Sequence, residues 1–242
     1  MTFHQDMRRL VLAHGAINNA YLTRFRAGQL SGSEFKAFAI EFYNFARFFP
    51  RILVAQLVNT EDEQVADELT KVLYSELGDG QSRHRHELLY RDFLRSAGID
   101  IHDAMTRPML PSTRSYIEGM EHLYTNGNHT KALGASFGLE NMAITMWDHL
   151  IPGLTLLKTT AYPQMDMTYF TFHRALESTH EEAMEHAVEA VESAGPGLSD
   201  HDKNDFRAGA IAVLDHLEGF WMGLERQNFP DDKPRPIYHH AA

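Results

Sequence analysis

The chain has 242 residues, with 22 Lys and Arg against 33 Asp and Glu, and its net charge of -11 disfavours nucleic acid or an anionic membrane surface as a partner. It contains no cysteine, which excludes disulfides, thiolate nucleophiles, iron–sulfur clusters and cysteine zinc sites together. No uncharged run reaches the ~18 residues that spanning a bilayer requires, and the opening MTFHQDMRRLVLAHG lacks the apolar core and small-residue cleavage site of a leader, so a cytoplasmic protein is expected.

Helical periodicity dominates and clean alternation never lasts beyond a few residues, which predicts an all-α protein. The stretch SGSEFKAFAIEFYNFARFFPRILVAQLV opens with Ser31 and Glu34 in capping-box spacing and sets Phe38, Phe42, Phe45, Phe49 and Ile52 along one face. Further helical stretches follow at roughly 61 to 77, 82 to 97, 112 to 125, 129 to 150, 166 to 194 and 199 to 226, each bounded by Gly, Pro, Asn or Asp. Seven or eight helices joined by short links make a bundle. GDG at 78–80, AGID at 97–100, TNGN at 125–128 and AGPG at 194–197 are connections rather than domain linkers. One domain over residues 1–228 is expected, followed by a loose tail over 229–242, whose two prolines and small apolar content leave His239 and His240 without a catalytic part.

The stretch YFTFHRALESTHEEAMEH places His173, Glu177 and His180 at i, i+4 and i+7, within an arc of about 60° on a helix. Leu176, Met184, Ala187 and Val191 extend that face, so the three polar groups stand on the stripe the helix buries. A hydrogen-bonded core cluster would satisfy them, and so would metal. The two histidines lie ~10.5 Å apart along the axis, a span that suits two ions about 4 Å apart with Glu177 between them better than one ion. Two ions need ligands from other helices. Glu76 precedes the GDG break and His86 follows ten residues later, ~15 Å away were the helix continuous, so only the break lets both reach one site. His86 continues an apolar stripe with Leu89 and Phe93, whereas its competitor His84 lies between Arg83 and Arg85. Glu140 is the only acid in an apolar run from Ala132 to Trp147 and is expected to point inward at something positive. Trp147, Tyr169 and the aromatic face are candidates for a pocket wall or plain core. Glu41, on that aromatic helix, suits a supporting bond, a substrate-amine contact or a structural one.

The set Glu76, His86, Glu140, His173, Glu177, His180 resembles the ligand pattern of the heme-oxygenase-like diiron oxidases and oxygenases: a Glu, a His in the next helix, a later Glu, and a His-x3-acid-x2-His helix. The resemblance covers roughly residues 30 to 225. It implies a heme-oxygenase-like bundle holding two Fe(2+) per chain, with these six residues as metal ligands and Glu76 and Glu177 as catalytic carboxylates. It also implies dioxygen activation against a small amino acid, amine or fatty acid. Where this family often has Asp as the middle acid of the last motif, Glu177 stands here, and its longer arm leaves bridging, chelating and switching all open. The related thiaminase II type uses a cysteine that this chain lacks, and the pyrroloquinoline-quinone synthase type works without metal. A non-redox metal-binding scaffold and a Zn or Mn hydrolase are the rival readings. A homodimer is the commonest assembly and is expected on that ground alone.

Overall fold

The computed structural model describes residues 3–193 and 197–229, and among these every regular element is helical. In chain order the α-helices are α1 (Phe3–Ala13), α2 (Ala20–Arg26), α3 (Gly32–Ala46), α4 (Phe49–Val58), α5 (Glu63–Glu76), α6 (His86–Ser96), α7 (Ile101–Thr106), α8 (Pro111–Thr125), α9 (His129–Thr160), α10 (Thr168–Ser193) and α11 (Asp200–Asn228). Side-chain caps set many of the starts. Ser31 and Glu34 form a reciprocal capping box, as do Ser199 and Asp202, while Asn19, Asp62 and Asn128 accept from backbone N–H groups of the first turns they precede.

The all-α expectation holds, but the count of seven or eight helices is too low: eleven are present among the described residues. Two lie in the first 30 residues, and α7 is a short extra turn after the AGID connection. The stretch from Ser31 to Val58 is two helices, because the chain breaks after Ala46 and restarts with Pro50 in the first turn of α4. Proline lacks the N–H a continuous helix would need there and suits a first turn. Conversely α9 runs through Pro152 to Thr160, ten residues past the predicted end. The predicted tail lies, apart from Phe229, outside the described residues, and so does most of the AGPG connection.

The longest helices form the centre. α9 packs along both α10 and α11, α8 lies on α11, and α5 lies on α10. Gly134 and Gly209 permit the close approach of α9 to α11: a Cβ on Gly134 would sit 2.0 Å from the Phe206 carbonyl oxygen, and one on Gly209 would sit 1.9 Å from that of Lys131. Phe42 sits amid the rings, 5.9 Å from both Tyr90 and Trp147 and 6.2 Å from Trp221. Such aromatic packing at 4.5–7 Å dominates the core energetics of a bundle. No helix among the described residues is long and apolar enough to cross a membrane.

Candidate metal centre

On α10 the inward face carries Tyr169, His173, Glu177, His180, Met184 and Ala187, all buried. One flank is tied down by ion pairs, Arg174 to Asp148 at 2.8 Å and Glu181 to Arg8 at 3.1 Å. Glu140 comes from the middle of α9 and is likewise buried. Glu76 ends α5 and His86 opens α6. Between them Gly78, Asp79 and Gly80 all take left-handed backbone, with φ of 94°, 51° and 75°. A Cβ on Gly78 would meet the Gln81 carbonyl oxygen at 2.6 Å and the Arg85 nitrogen at 2.7 Å. Only glycine occupies that position without strain, and the reversal turns α6 back so that its first residue faces the last residue of α5.

Six side chains thereby meet. Glu76, His86 and His173 bring one ligand atom each to within 4.8 Å of one another, and so do Glu140, Glu177 and His180. All six are between 2% and 6% exposed. In the first triad His86 Nδ1 lies 2.9 Å from Glu76 Oε2, and His173 Nε2 lies 3.8 Å from Glu76 Oε1. In the second, His180 Nδ1 lies 3.4 Å from Glu140 Oε2 and 4.0 Å from Glu177 Oε2. His84 stands outside both, half-buried, its ring 5.5 Å from that of Phe172.

Neighbours orient the donors. The Tyr169 carbonyl accepts from His173 Nδ1 at 2.8 Å, which leaves Nε2 facing Glu76. His180 Nε2 is bonded to the Ser75 hydroxyl at 3.2 Å, so its Nδ1 faces the carboxylates. The indole N–H of Trp147 donates to Glu177 Oε1 at 2.6 Å. Ser75 and this role of Trp147 carry no signal in the sequence, because both depend on which helix lies opposite.

Charge is unevenly shared. Burial alone would raise the Glu76 carboxyl, but the imidazoles of His86 and His173 outweigh it and hold the group well below the usual carboxylate range. Burial, and then the Glu140 charge, push Glu177 up to about 7 against the pull of His180, His173 and Trp147. Burial would lower His180, yet Glu140 above all, with Glu177 and Glu76, raises it to about 9. Two carboxylates that share one imidazole cannot both ionise cheaply in a buried site.

The cluster forms part of a cavity wall. Phe42, Phe45, Phe49, Met142, Met146 and Trp147 supply much of the apolar remainder, and Tyr169 lines it beside His173. Phe38 instead packs against Phe25 and Trp221. Glu41 is not on the wall: it accepts from the Leu110 N–H at 3.1 Å and from the Thr113 hydroxyl, and so caps the start of α8. One wall residue the sequence did not single out is Glu87, bonded to Tyr43 and Arg91.

The residues fit a pair of divalent cations. Buried polar atoms normally find partners, yet neither ring nitrogen of His86 makes a hydrogen bond, despite the close approach of Nδ1 to Glu76, and Glu177 Oε2 makes none. Three carboxylates and three imidazoles from four helices form the mixed oxygen and nitrogen donor set of non-heme iron sites.

Comparison with known proteins agrees in class. A curated relative, 4-chloro-allylglycine synthase of Streptantibioticus cattleyicolor, is 25% identical over 214 residues, which cover 88% of this chain and 79% of that one. Among solved structures, a CADD-like protein of unknown function from Nostoc punctiforme aligns over 93% of this chain and 96% of its own with a TM-score of 0.76 at 17% identity. A domain of unknown function with a heme oxygenase-like fold, from Shewanella denitrificans, aligns over 94% and 92% with a TM-score of 0.66 at 19% identity. A TenA homologue from Pseudomonas syringae aligns over 92% and 91% with a TM-score of 0.75 at 12% identity. The fold is thus heme-oxygenase-like. The family model for iron-containing redox enzymes matches residues 36–216, most of the chain and all six clustered residues. The chain belongs to the family of iron-containing redox enzymes.

Proposed function

We propose that this protein holds two irons and uses them with dioxygen to oxidise a small metabolite of the amino-acid class. Glu76, His86 and His173 would hold one iron, and Glu140, Glu177 and His180 the other. The observation that carries this reading is the pair of buried triads on one cavity wall, with His86 and Glu177 presenting donor atoms that have no hydrogen-bond partner. The name of the curated relative, a synthase of a chlorinated amino acid, supports the substrate class. Iron in such a site supplies the redox chemistry with dioxygen that no side chain of this protein can perform.

The chain's own residues hold, orient and shield. The Tyr169 carbonyl fixes the His173 tautomer, and the Ser75 hydroxyl aims Nδ1 of His180 at the acids. Trp147 holds one oxygen of Glu177 and leaves the other open to the cluster. Glu177, raised to about 7 in the metal-free protein by burial and by Glu140, would have to give up its proton to serve as a ligand. Phe42, Phe45, Phe49 and Met146 keep water from the reacting end of the substrate.

Anaerobic addition of ferrous iron followed by oxygenated buffer tests the reading in a stopped-flow spectrometer. A transient visible absorption that forms and decays is expected. No absorption change, with iron bound, would point to a scaffold that uses metal only as a staple.

A further inference from the structure

The cavity wall bears one charged side chain outside the six-residue cluster, that of Glu87. Its Oε1 accepts from the Tyr43 hydroxyl at 2.7 Å and from Arg91 Nε, while Arg91 Nε also lies 3.2 Å from the Tyr43 oxygen. Tyr43 is wholly buried on α3, so it pins a pair that stands one turn apart on the same face of α6. The pair is more open than the cluster, with side chains 20% and 32% exposed. None of the bonds described engages Glu87 Oε2 or the two terminal nitrogens of the Arg91 guanidinium.

A surface pair of this spacing is ordinarily a solvated one of small worth. Two features set this one apart: a buried phenol aligns it from another helix, and its acid faces a cavity that is otherwise apolar up to the cluster. Neutral within itself, it still offers one carboxylate oxygen at the cavity wall and, from Arg91, which is not itself on the wall, two terminal nitrogens that these bonds leave free. A simple amine or a fatty acid would match only half of that offer, whereas an α-amino acid head group matches both halves with charge-assisted bonds.

We propose that Glu87 and Arg91 bind the zwitterionic head group of an α-amino acid, the ammonium at Glu87 Oε2 and the carboxylate at the terminal nitrogens of Arg91. The substrate side chain then runs along Phe42, Phe45 and Phe49 toward the six-residue cluster. This rests on the amino-acid reading given above and names the residues that would select it.

Three probes of similar chain length separate the alternatives: L-norleucine, hexanoate and n-pentylamine. Their affinities are measured by calorimetry on protein loaded anaerobically with ferrous iron, with iron content determined on the same samples. Norleucine is expected to bind at least about tenfold more tightly than either one-charge probe, as loss of a charge-assisted pair implies. Glu87→Gln should erase the preference over hexanoate and keep that over n-pentylamine, and Arg91→Ala should do the reverse, while iron content and the far-ultraviolet circular dichroism stay at wild-type values. Equal or tighter binding of hexanoate or pentylamine, no binding of norleucine, or an unchanged preference in both variants would overturn the proposal. Low iron content in the wild type would instead count against the two-iron reading and leave the probe comparison standing.

Discussion

The two triads of the cluster differ in charge and in the backbone that carries them. Glu76, His86 and His173 set one carboxylate against two imidazoles, and the acid stays ionised well below its usual range. Glu140, Glu177 and His180 set two carboxylates against one imidazole, and there Glu177 and His180 both shift toward holding protons. The first triad is assembled across a loop between α5 and α6, the second from the interiors of the continuous helices α9 and α10. One half is thus balanced in charge but assembled across a glycine turn, while the other stands within two continuous helices but is short of positive charge.

The largest effect that would break this contrast is removal of the lone imidazole of the acid-rich triad. In protein treated with a chelator, His180→Ala leaves Glu140 and Glu177 buried together, an uncompensated arrangement expected to cost about 3–5 kcal/mol. His86→Ala leaves Glu76 with His173, and the cost should be smaller, roughly 1–3 kcal/mol. Urea unfolding followed by circular dichroism measures both. Equal losses would show that the two triads do not differ in charge balance as described.

A smaller change should isolate the backbone difference. Gly78→Ala places a Cβ against the Gln81 carbonyl and the Arg85 nitrogen at a left-handed φ of 94°, a strain expected to cost about 1–3 kcal/mol. Because the reversal brings His86 to Glu76, the variant should lose iron from the first triad and keep it at the second. A spectroscopic count of iron sites per chain reads the outcome, and loss from both triads together would mean that the loop carries no separate weight.

Much of this site could be read from the sequence, and the limits are physical. Periodicity says which residues share a face, so His173, Glu177 and His180 group together at once, and a lone Glu140 in an apolar helix stands out. The GDG run marks a reversal because three successive left-handed residues, two of them glycine, cannot continue a helix. Periodicity does not say which face of another helix lies opposite. Glu87 and Arg91 therefore carry no signal of a site until Tyr43 is seen beside them, and Glu41, which suited a supporting bond, a substrate contact or a structural one alike, is settled only by its bonds at the start of α8. The break between α3 and α4 was signalled by Pro50 but hidden by the aromatic stripe, since Phe45 and Phe49 reach the same cavity from either side of it.

Two triads holding two irons should give a stoichiometry that follows the histidines. It is read by anaerobic loading with ferrous iron, desalting and metal analysis of the wild type, His173→Ala and His180→Ala. Close to two irons per chain are expected in the wild type and close to one in each variant, the first losing iron at Glu76 and His86 and the second at Glu140 and Glu177. One iron or fewer in the wild type, or the same content in all three proteins, would contradict it.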